Sequence, residues 1–211
     1  MNLCAIGTGA ITKSMLAEFQ RSDVLRCTSI YSRKEETGKA MAKQFGLERV
    51  YTSMEEMLAD PAIDMVYVAS PNSIHYGQAK AALLAGKHVI CEKPCTTCAA
   101  HTRELFALAR EKQRFFMEAE KMLFLPAIAE VRDKILNREL GKIHMVELNH
   151  SFSAGYNSWL FDRSLGGVDG GHDVGSGGGI QTEGACDSRH LSGREHKAKA
   201  QQSVILEHHE S

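Results

Sequence analysis

The stretch from residue 63 to residue 94 constrains the fold of this chain more than any other. Two short runs rich in Val, Ile and Tyr, at residues 63–69 and 88–91, flank a segment whose apolar residues recur at helical spacing. Gly86 follows that segment, where glycine commonly ends a helix. Strand, helix and strand of this length predict a right-handed crossover between parallel strands. The charged pair Glu92-Lys93 follows the second strand, at the edge where open α/β sheets bind ligands.

A glycine turn near the amino terminus is the second informative feature. An apolar strand at residues 3–6 runs into Gly7-Thr8-Gly9-Ala10-Ile11, and helix-compatible sequence follows. Gly7 permits a tight turn, Gly9 lets the backbone approach a pyrophosphate, and the helix start offers unpaired N–H groups. Thr12 stands where the dinucleotide fingerprint has a third Gly or Ala. We expect residues 7–11 to bind a dinucleotide, because the turn follows the first strand.

The end of the second predicted strand indicates which dinucleotide is preferred. Residues 24–31 form that strand, and Ser32, Arg33 and Lys34 follow it. NAD-type sites place an acidic side chain at this point to bind the ribose hydroxyls. Because a hydroxyl and two cations repel no phosphate, we expect NADP to be preferred, with NAD as the second candidate. The alternative interpretation is a solvated charge pair that opens the next helix.

Strands and helices alternate along residues 1–120, which predicts an α/β fold with an N-terminal Rossmann domain, a doubly wound parallel sheet. Residues 121–165 are expected to begin a second α/β domain, with a helix opened by Pro126 and a half-exposed strand over residues 143–152. Residues 166–211 are rich in Gly and His and contain no aromatic residue. We expect this aberrant tail to be poorly ordered and the second domain to be incomplete.

Composition argues against several functional classes. The formal net charge of −1 gives no basic footprint for nucleic acid or an anionic membrane. No apolar run approaches the roughly 20 residues that span a bilayer, and no secretory signal precedes the first strand. Cys4, Cys27 and Cys91 lie in predicted buried strands, which favours reduced thiols and a cytoplasmic location. The histidines of the tail are too scattered to predict a metal site.

Several motifs together resemble those of one family. Ser70-Pro71-Asn72 with His75, Gly86-Lys87-His88, and Cys91-Glu92-Lys93-Pro94 are similar to the glucose-fructose oxidoreductase / inositol dehydrogenase / MocA (Gfo/Idh/MocA) family. The resemblance covers residues 1–165, and the sequence beyond departs from the family pattern. Met117-Glu118-Ala119 is similar to a subgroup with dimeric dihydrodiol dehydrogenase. The resemblance implies hydride transfer between NAD(P) and a small-molecule alcohol or carbonyl of a sugar, cyclitol or dihydrodiol, and leaves a homo-oligomer open.

The resemblance also implies roles for individual residues. Lys93 would lie beside the nicotinamide and the substrate carbinol as the catalytic group, since a partly buried lysine gives up its proton more readily. Glu92 would tune Lys93, and Ser70, Asn72 and His75 would lie at the cofactor. The plainer interpretations are that His75 caps its helix and that Lys93 is an exposed strand end.

Two other functions are compatible with parts of the sequence. Cys91, Cys95 and Cys98 have the C-x-x-x-C-x-x-C spacing by which radical-SAM enzymes hold an iron-sulfur cluster. The position of Cys91 on a predicted buried strand favours incidental cysteines instead. The second alternative is a catalytically incompetent Rossmann module that retains NADP binding, because substrate specificity belongs to the incomplete second domain.

Overall fold

A computed structural model of the chain describes residues 1–145, 149–152 and 200–203. The chain divides into two compact units, Met1–Ala119 and Glu120–Ser211. No helix in the described part of the chain is long and apolar enough to cross a membrane.

The first unit is a parallel sheet with helical crossovers. Its strands are β1 (Asn2–Ile6), β2 (Arg26–Tyr31), β3 (Arg49–Tyr51), β4 (Met65–Val68), β5 (His88–Cys91) and β6 (Phe116–Glu118). Its helices are α1 (Ala10–Phe19), α2 (Glu35–Phe45), α3 (Met54–Ala59), α4 (Asn72–Leu84) and α5 (Ala99–Glu111). The sheet order is β3-β2-β1-β4-β5-β6, and all neighbouring strands are parallel. This arrangement confirms the predicted Rossmann-type fold.

The central strand β4 shows why these residues form a sheet covered on both faces. All four of its residues are buried, as expected for a parallel strand between two helical layers. Val66 and Val68 pack into one core with α4 and α5, whereas Met65 and Tyr67 pack into the other core with α1 and α2. The alternation of side chains along the strand therefore builds two separate cores.

The Gly86-Lys87-His88 motif serves the structure of the sheet. Lys87 is only 8 % exposed, and its Nζ donates to the carbonyl oxygens of Asp60 (2.7 Å) and Ile63 (2.9 Å). The Phe115 N–H donates to His88 Nδ1 at 2.9 Å. These contacts lie where β5 begins, at the sheet edge opposite the glycine turn. The motif therefore stabilises the sheet where β5 begins.

The second unit contains few described elements. A 3-10 turn (Lys121–Phe124) precedes helix α6 (Pro126–Leu136), and strands β7 (Asn149–Phe152) and β8 (Ala200–Ser203) pair in antiparallel fashion. Pro126 opens α6 as predicted. A strand was predicted over residues 143–152. Within this range the strand that the structure describes is β7. The predicted poor order of residues 166–211 lies outside the described residues except at β8, which the sequence analysis did not predict.

Candidate functional site

The glycine turn lies between the carboxyl ends of β1, β2 and β4. Gly7 has a φ of +109°, a backbone conformation that favours glycine, and its N–H donates to the Tyr31 carbonyl at 3.3 Å. A Cβ atom on Gly7 would lie 2.4 Å from the Ala69 carbonyl oxygen. Gly7 is therefore required by the close approach of the chain after β4, which is a requirement of the fold.

Gly9, unlike Gly7, is not required by the fold of the protein. Its φ of −76° suits any residue, and a Cβ atom there would meet no protein atom within 4 Å. Gly9, Ala10 and Ile11 are exposed at the start of α1, and Ile11 is 44 % exposed although apolar. The open space at this helix start fits a pyrophosphate, which needs close backbone approach and N–H groups. Thr12 beneath it is fully buried, and its hydroxyl has no partner among the described residues.

The segment after β2 presents two cations. Ser32 is buried, and its hydroxyl contacts the Lys34 carbonyl oxygen (2.8 Å) and Thr37 Oγ1 (2.7 Å). Arg33 and Lys34 are exposed, and neither forms an ion pair with any residue that the structure describes. The neighbouring Glu35 is paired with Lys39 at 2.7 Å. The arrangement leaves both cations available to an anion, while the Ser32 hydroxyl is engaged in the turn.

The segment after β4 supplies the next predicted residues. Ser70 is half-buried, and its hydroxyl donates to Gln78 Oε1 at 2.6 Å. Asn72 is half-buried at the first position of α4, after Pro71. Ser70 and Asn72 therefore lie at the carboxyl end of β4, beside the glycine turn that follows the neighbouring β1.

His75 joins two turns of the site. It is 1 % exposed, with Nδ1 2.9 Å from the Pro94 carbonyl oxygen and Nε2 2.7 Å from the Ser70 carbonyl oxygen. The imidazole thus lies between the turn after β4 and the turn after β5, with a protein carbonyl oxygen beside each ring nitrogen. Its expected contact with the cofactor stays a prediction.

The turn after β5 carries Glu92 and Lys93. Glu92 is half-buried and accepts a hydrogen bond from the Tyr67 hydroxyl at 2.6 Å. Lys93 is exposed, as in the plainer interpretation of an exposed strand end and unlike the partial burial expected with the resemblance. On the far side of the turn, the Cys95 N–H donates to Glu118 Oε1 at 2.8 Å. Side chains of β4 and β6 therefore fix both sides of the Lys93 turn.

Sequence reasoning missed the roles of Tyr67 and Glu118 at the Lys93 turn. Burial and the adjacent Glu92 carboxylate both raise the pKa of Tyr67, so the phenol is a hydrogen-bond donor near neutral pH. A tyrosine within an otherwise apolar buried strand is a signal that could have been used, because a buried hydroxyl needs a partner. Glu118 lies in the Met117-Glu118-Ala119 motif quoted above, but that motif gives no signal for the contact of Glu118 with the Cys95 N–H.

The cysteines after β5 give the iron-sulfur alternative no support. Cys91 and Cys95 are buried, and burial raises the pKa of both thiols, which disfavours the thiolate that ligates iron. The described residues contain no group of three His, Cys, Asp or Glu side chains that could hold a metal ion.

Comparison with known proteins identifies relatives of the chain. It is 35% identical over 161 residues to the uncharacterized oxidoreductase YgjR of Escherichia coli, covering 76% of this chain and 48% of YgjR. It is 34% identical over 151 residues to scyllo-inositol 2-dehydrogenase (NADP(+)) IolU of Bacillus subtilis, covering 72% of this chain and 44% of IolU. The chain therefore spans about half the length of these curated relatives.

A solved structure shows the same fold. A 3-ketoreductase from Actinomadura kijaniata, in complex with TDP-benzene and NADP, superimposes with a TM-score of 0.60 at 32% identity. The match covers 65% of this chain and 43% of that protein. Residues 1–120 match the model of the oxidoreductase family with an NAD-binding Rossmann fold, which confirms the resemblance identified from the motifs. The chain belongs to the Gfo/Idh/MocA oxidoreductase family.

Proposed function

We propose that the chain binds NADP in preference to NAD and uses it to oxidise or reduce a small alcohol or carbonyl compound of the sugar, cyclitol or dihydrodiol class. The observation that carries this proposal is the juxtaposition of the glycine turn, the Ser70-Asn72 turn and the Glu92-Lys93 turn at the carboxyl ends of β1, β4 and β5. Ligands bind open α/β sheets at this edge.

Each turn would contribute a separate interaction. The backbone of residues 7–11 would hold the pyrophosphate, and the exposed cations Arg33 and Lys34 would pair with the 2′-phosphate of NADP. Ser70 and Asn72 would line the nicotinamide side. IolU, whose name includes NADP(+), and the ketoreductase solved with NADP support this cofactor preference.

Lys93 would act on the substrate. The bound cofactor supplies or accepts the hydride. The exposed Lys93 ammonium would donate a hydrogen bond to the substrate oxygen and transfer its proton during reduction, then recover it from solvent. The contacts of His75 and Glu118 hold the turn that carries Lys93. These residues would therefore act by fixing its geometry.

A second candidate function is NADP binding without turnover. It is favoured by one observation: the family model matches residues 1–120, the NAD-binding Rossmann part of the chain. A Rossmann module of this kind can hold the cofactor without turning over a substrate.

Turnover assays separate the two candidates. NADP reduction would be followed with inositols, xylose and a dihydrodiol for the wild type, for Lys93→Met, and for Lys39→Met as a surface control. Turnover that Lys93→Met abolishes and Lys39→Met preserves supports the enzyme. Cofactor binding without turnover of any substrate supports the binding module, and turnover retained by Lys93→Met contradicts the catalytic role of Lys93.

A further inference from the structure

Tyr67 is a core residue with a hydroxyl that reaches the site. It lies on β4, is fully buried, and its ring packs edge-to-face against Phe19 of α1 with a centroid distance of 5.4 Å. A phenylalanine would provide the same ring packing, so the core does not account for the hydroxyl. The partner of that hydroxyl is Glu92 Oε1 at 2.6 Å, and the donor is the phenol, since a carboxylate only accepts.

Which partner the Glu92 carboxylate takes bears on Lys93, because the two residues are neighbours in the chain and carry opposite charges. Sequence neighbours of opposite charge can pair in this protein: Lys112 pairs with Glu111 at 3.1 Å and Arg132 with Asp133 at 3.0 Å. Within the described residues no ion pair joins Glu92 to Lys93, although Lys93 is exposed. The Glu92 carboxylate instead accepts a hydrogen bond from a buried phenol on another strand.

We propose that Tyr67 is a positioning residue that holds the Glu92 carboxylate away from Lys93 and so keeps the Lys93 side chain unpaired and available to the substrate. The proposal rests on the proposed function, in which Lys93 acts on the substrate oxygen. Tyr67 would thus act on the site through Glu92, without touching the cofactor or the substrate.

The physical consequence of losing the hydroxyl follows from the charges. In Tyr67→Phe the half-buried Glu92 carboxylate loses its donor, and an unsatisfied charge is costly to keep there. The adjacent Lys93 ammonium then becomes the available cationic partner. An ion pair stabilises the ammonium form, whereas only the free amine is nucleophilic. Lys93 should therefore react more slowly with an acylating reagent.

Competitive acylation with acetic anhydride, read by peptide mass mapping, measures this reactivity in the protein without cofactor. We expect Tyr67→Phe to slow the acylation of Lys93 by about two- to fivefold relative to Lys43, an exposed lysine of α2, as for an exposed ion pair. The control is Tyr76→Phe: Tyr76 of α4 donates to Glu104 of α5, also at 2.6 Å, and Glu104 keeps Lys80 as its partner. Tyr76→Phe should leave the acylation of Lys93 unchanged.

A double variant separates positioning from a general structural effect. Tyr67→Phe combined with Glu92→Gln should restore the wild-type acylation rate of Lys93, because the amide carries no charge. An unchanged rate in Tyr67→Phe, or a rate that stays slow in the double variant, would overturn the proposal.

Glu92→Gln alone keeps the proposal testable if Tyr67→Phe fails to fold. It should leave the Lys93 rate unchanged, since the carboxylate is already held away from Lys93, and a faster rate would contradict the proposal. Because none of these measurements needs cofactor, a failure of NADPH binding, which would count against the proposed function, is recognised separately.

Discussion

Substituting the two glycines of the first turn separately distinguishes the fold from the cofactor site. In Gly7→Ala, the new Cβ would lie 2.4 Å from the Ala69 carbonyl oxygen at a residue with φ +109°. A left-handed backbone costs a non-glycine residue about 1–3 kcal/mol. Forcing the overlapping atoms apart costs about 1–3 kcal/mol more. We expect Gly7→Ala to lower the free energy of unfolding by about 2–6 kcal/mol.

Gly9→Ala should behave in the opposite way. Its φ of −76° suits alanine, and the added Cβ would meet no protein atom within 4 Å. The free energy of unfolding should therefore change by less than about 0.5 kcal/mol. The same methyl group would occupy the space proposed for the pyrophosphate, so NADPH affinity should fall at least about tenfold, which corresponds to ~1.4 kcal/mol.

Urea denaturation followed by circular dichroism, together with NADPH fluorescence titration, checks both variants. A Gly9→Ala protein that binds NADPH as tightly as the wild type would refute the placement of the pyrophosphate. A Gly7→Ala protein as stable as the wild type would refute the requirement for glycine beside Ala69.

Two further predictions concern Lys87 and His88, which lie where β5 begins. Lys87→Met leaves two carbonyl oxygens without their buried donor and should cost about 2–4 kcal/mol in urea denaturation. Lys39→Met removes only an exposed ion pair and should cost less than about 1 kcal/mol; equal costs would contradict the role of Lys87. Burial and the nearby Arg114 lower the pKa of His88, so the folded state binds its proton less readily than the unfolded state. This contribution to stability is present above the unfolded pKa and is lost as the pH falls through the lowered folded value. Between pH 7 and 5, His88→Gln should therefore lose less stability than the wild type, and identical pH profiles would contradict this assignment.

Local signals were sufficient to predict the nucleotide-binding fold. The strand predicted at residues 88–91 is β5, and the strand predicted at residues 63–69 contains β4, Met65–Val68. Both are short apolar runs bounded by turn residues, and parallel buried strands depend mainly on such local composition. The glycine turn also lies where predicted, after β1.

The contacts that fix the Lys93 turn could not be predicted in the same way. Tyr67 and Glu92 are 25 residues apart, and they meet because Tyr67 lies opposite Ile90 in the register of β4 and β5. His75 reaches the Pro94 carbonyl across 19 residues. These contacts depend on strand register and on the docking of α4, which hydrophobic periodicity does not specify.

The carboxyl edge of this sheet is the proposed NADP site. Its most direct test is a fluorescence titration of the wild type, Arg33→Ala and Lys39→Ala with NADPH and with NADH. We expect saturable binding with an NADPH Kd about tenfold below that of NADH, because Arg33 would pair with the extra phosphate. Arg33→Ala should remove most of that difference, whereas Lys39→Ala, which removes a cation already paired with Glu35, should preserve it. Absence of saturable binding would contradict the site, and equal affinities in the wild type would contradict the preference for NADP.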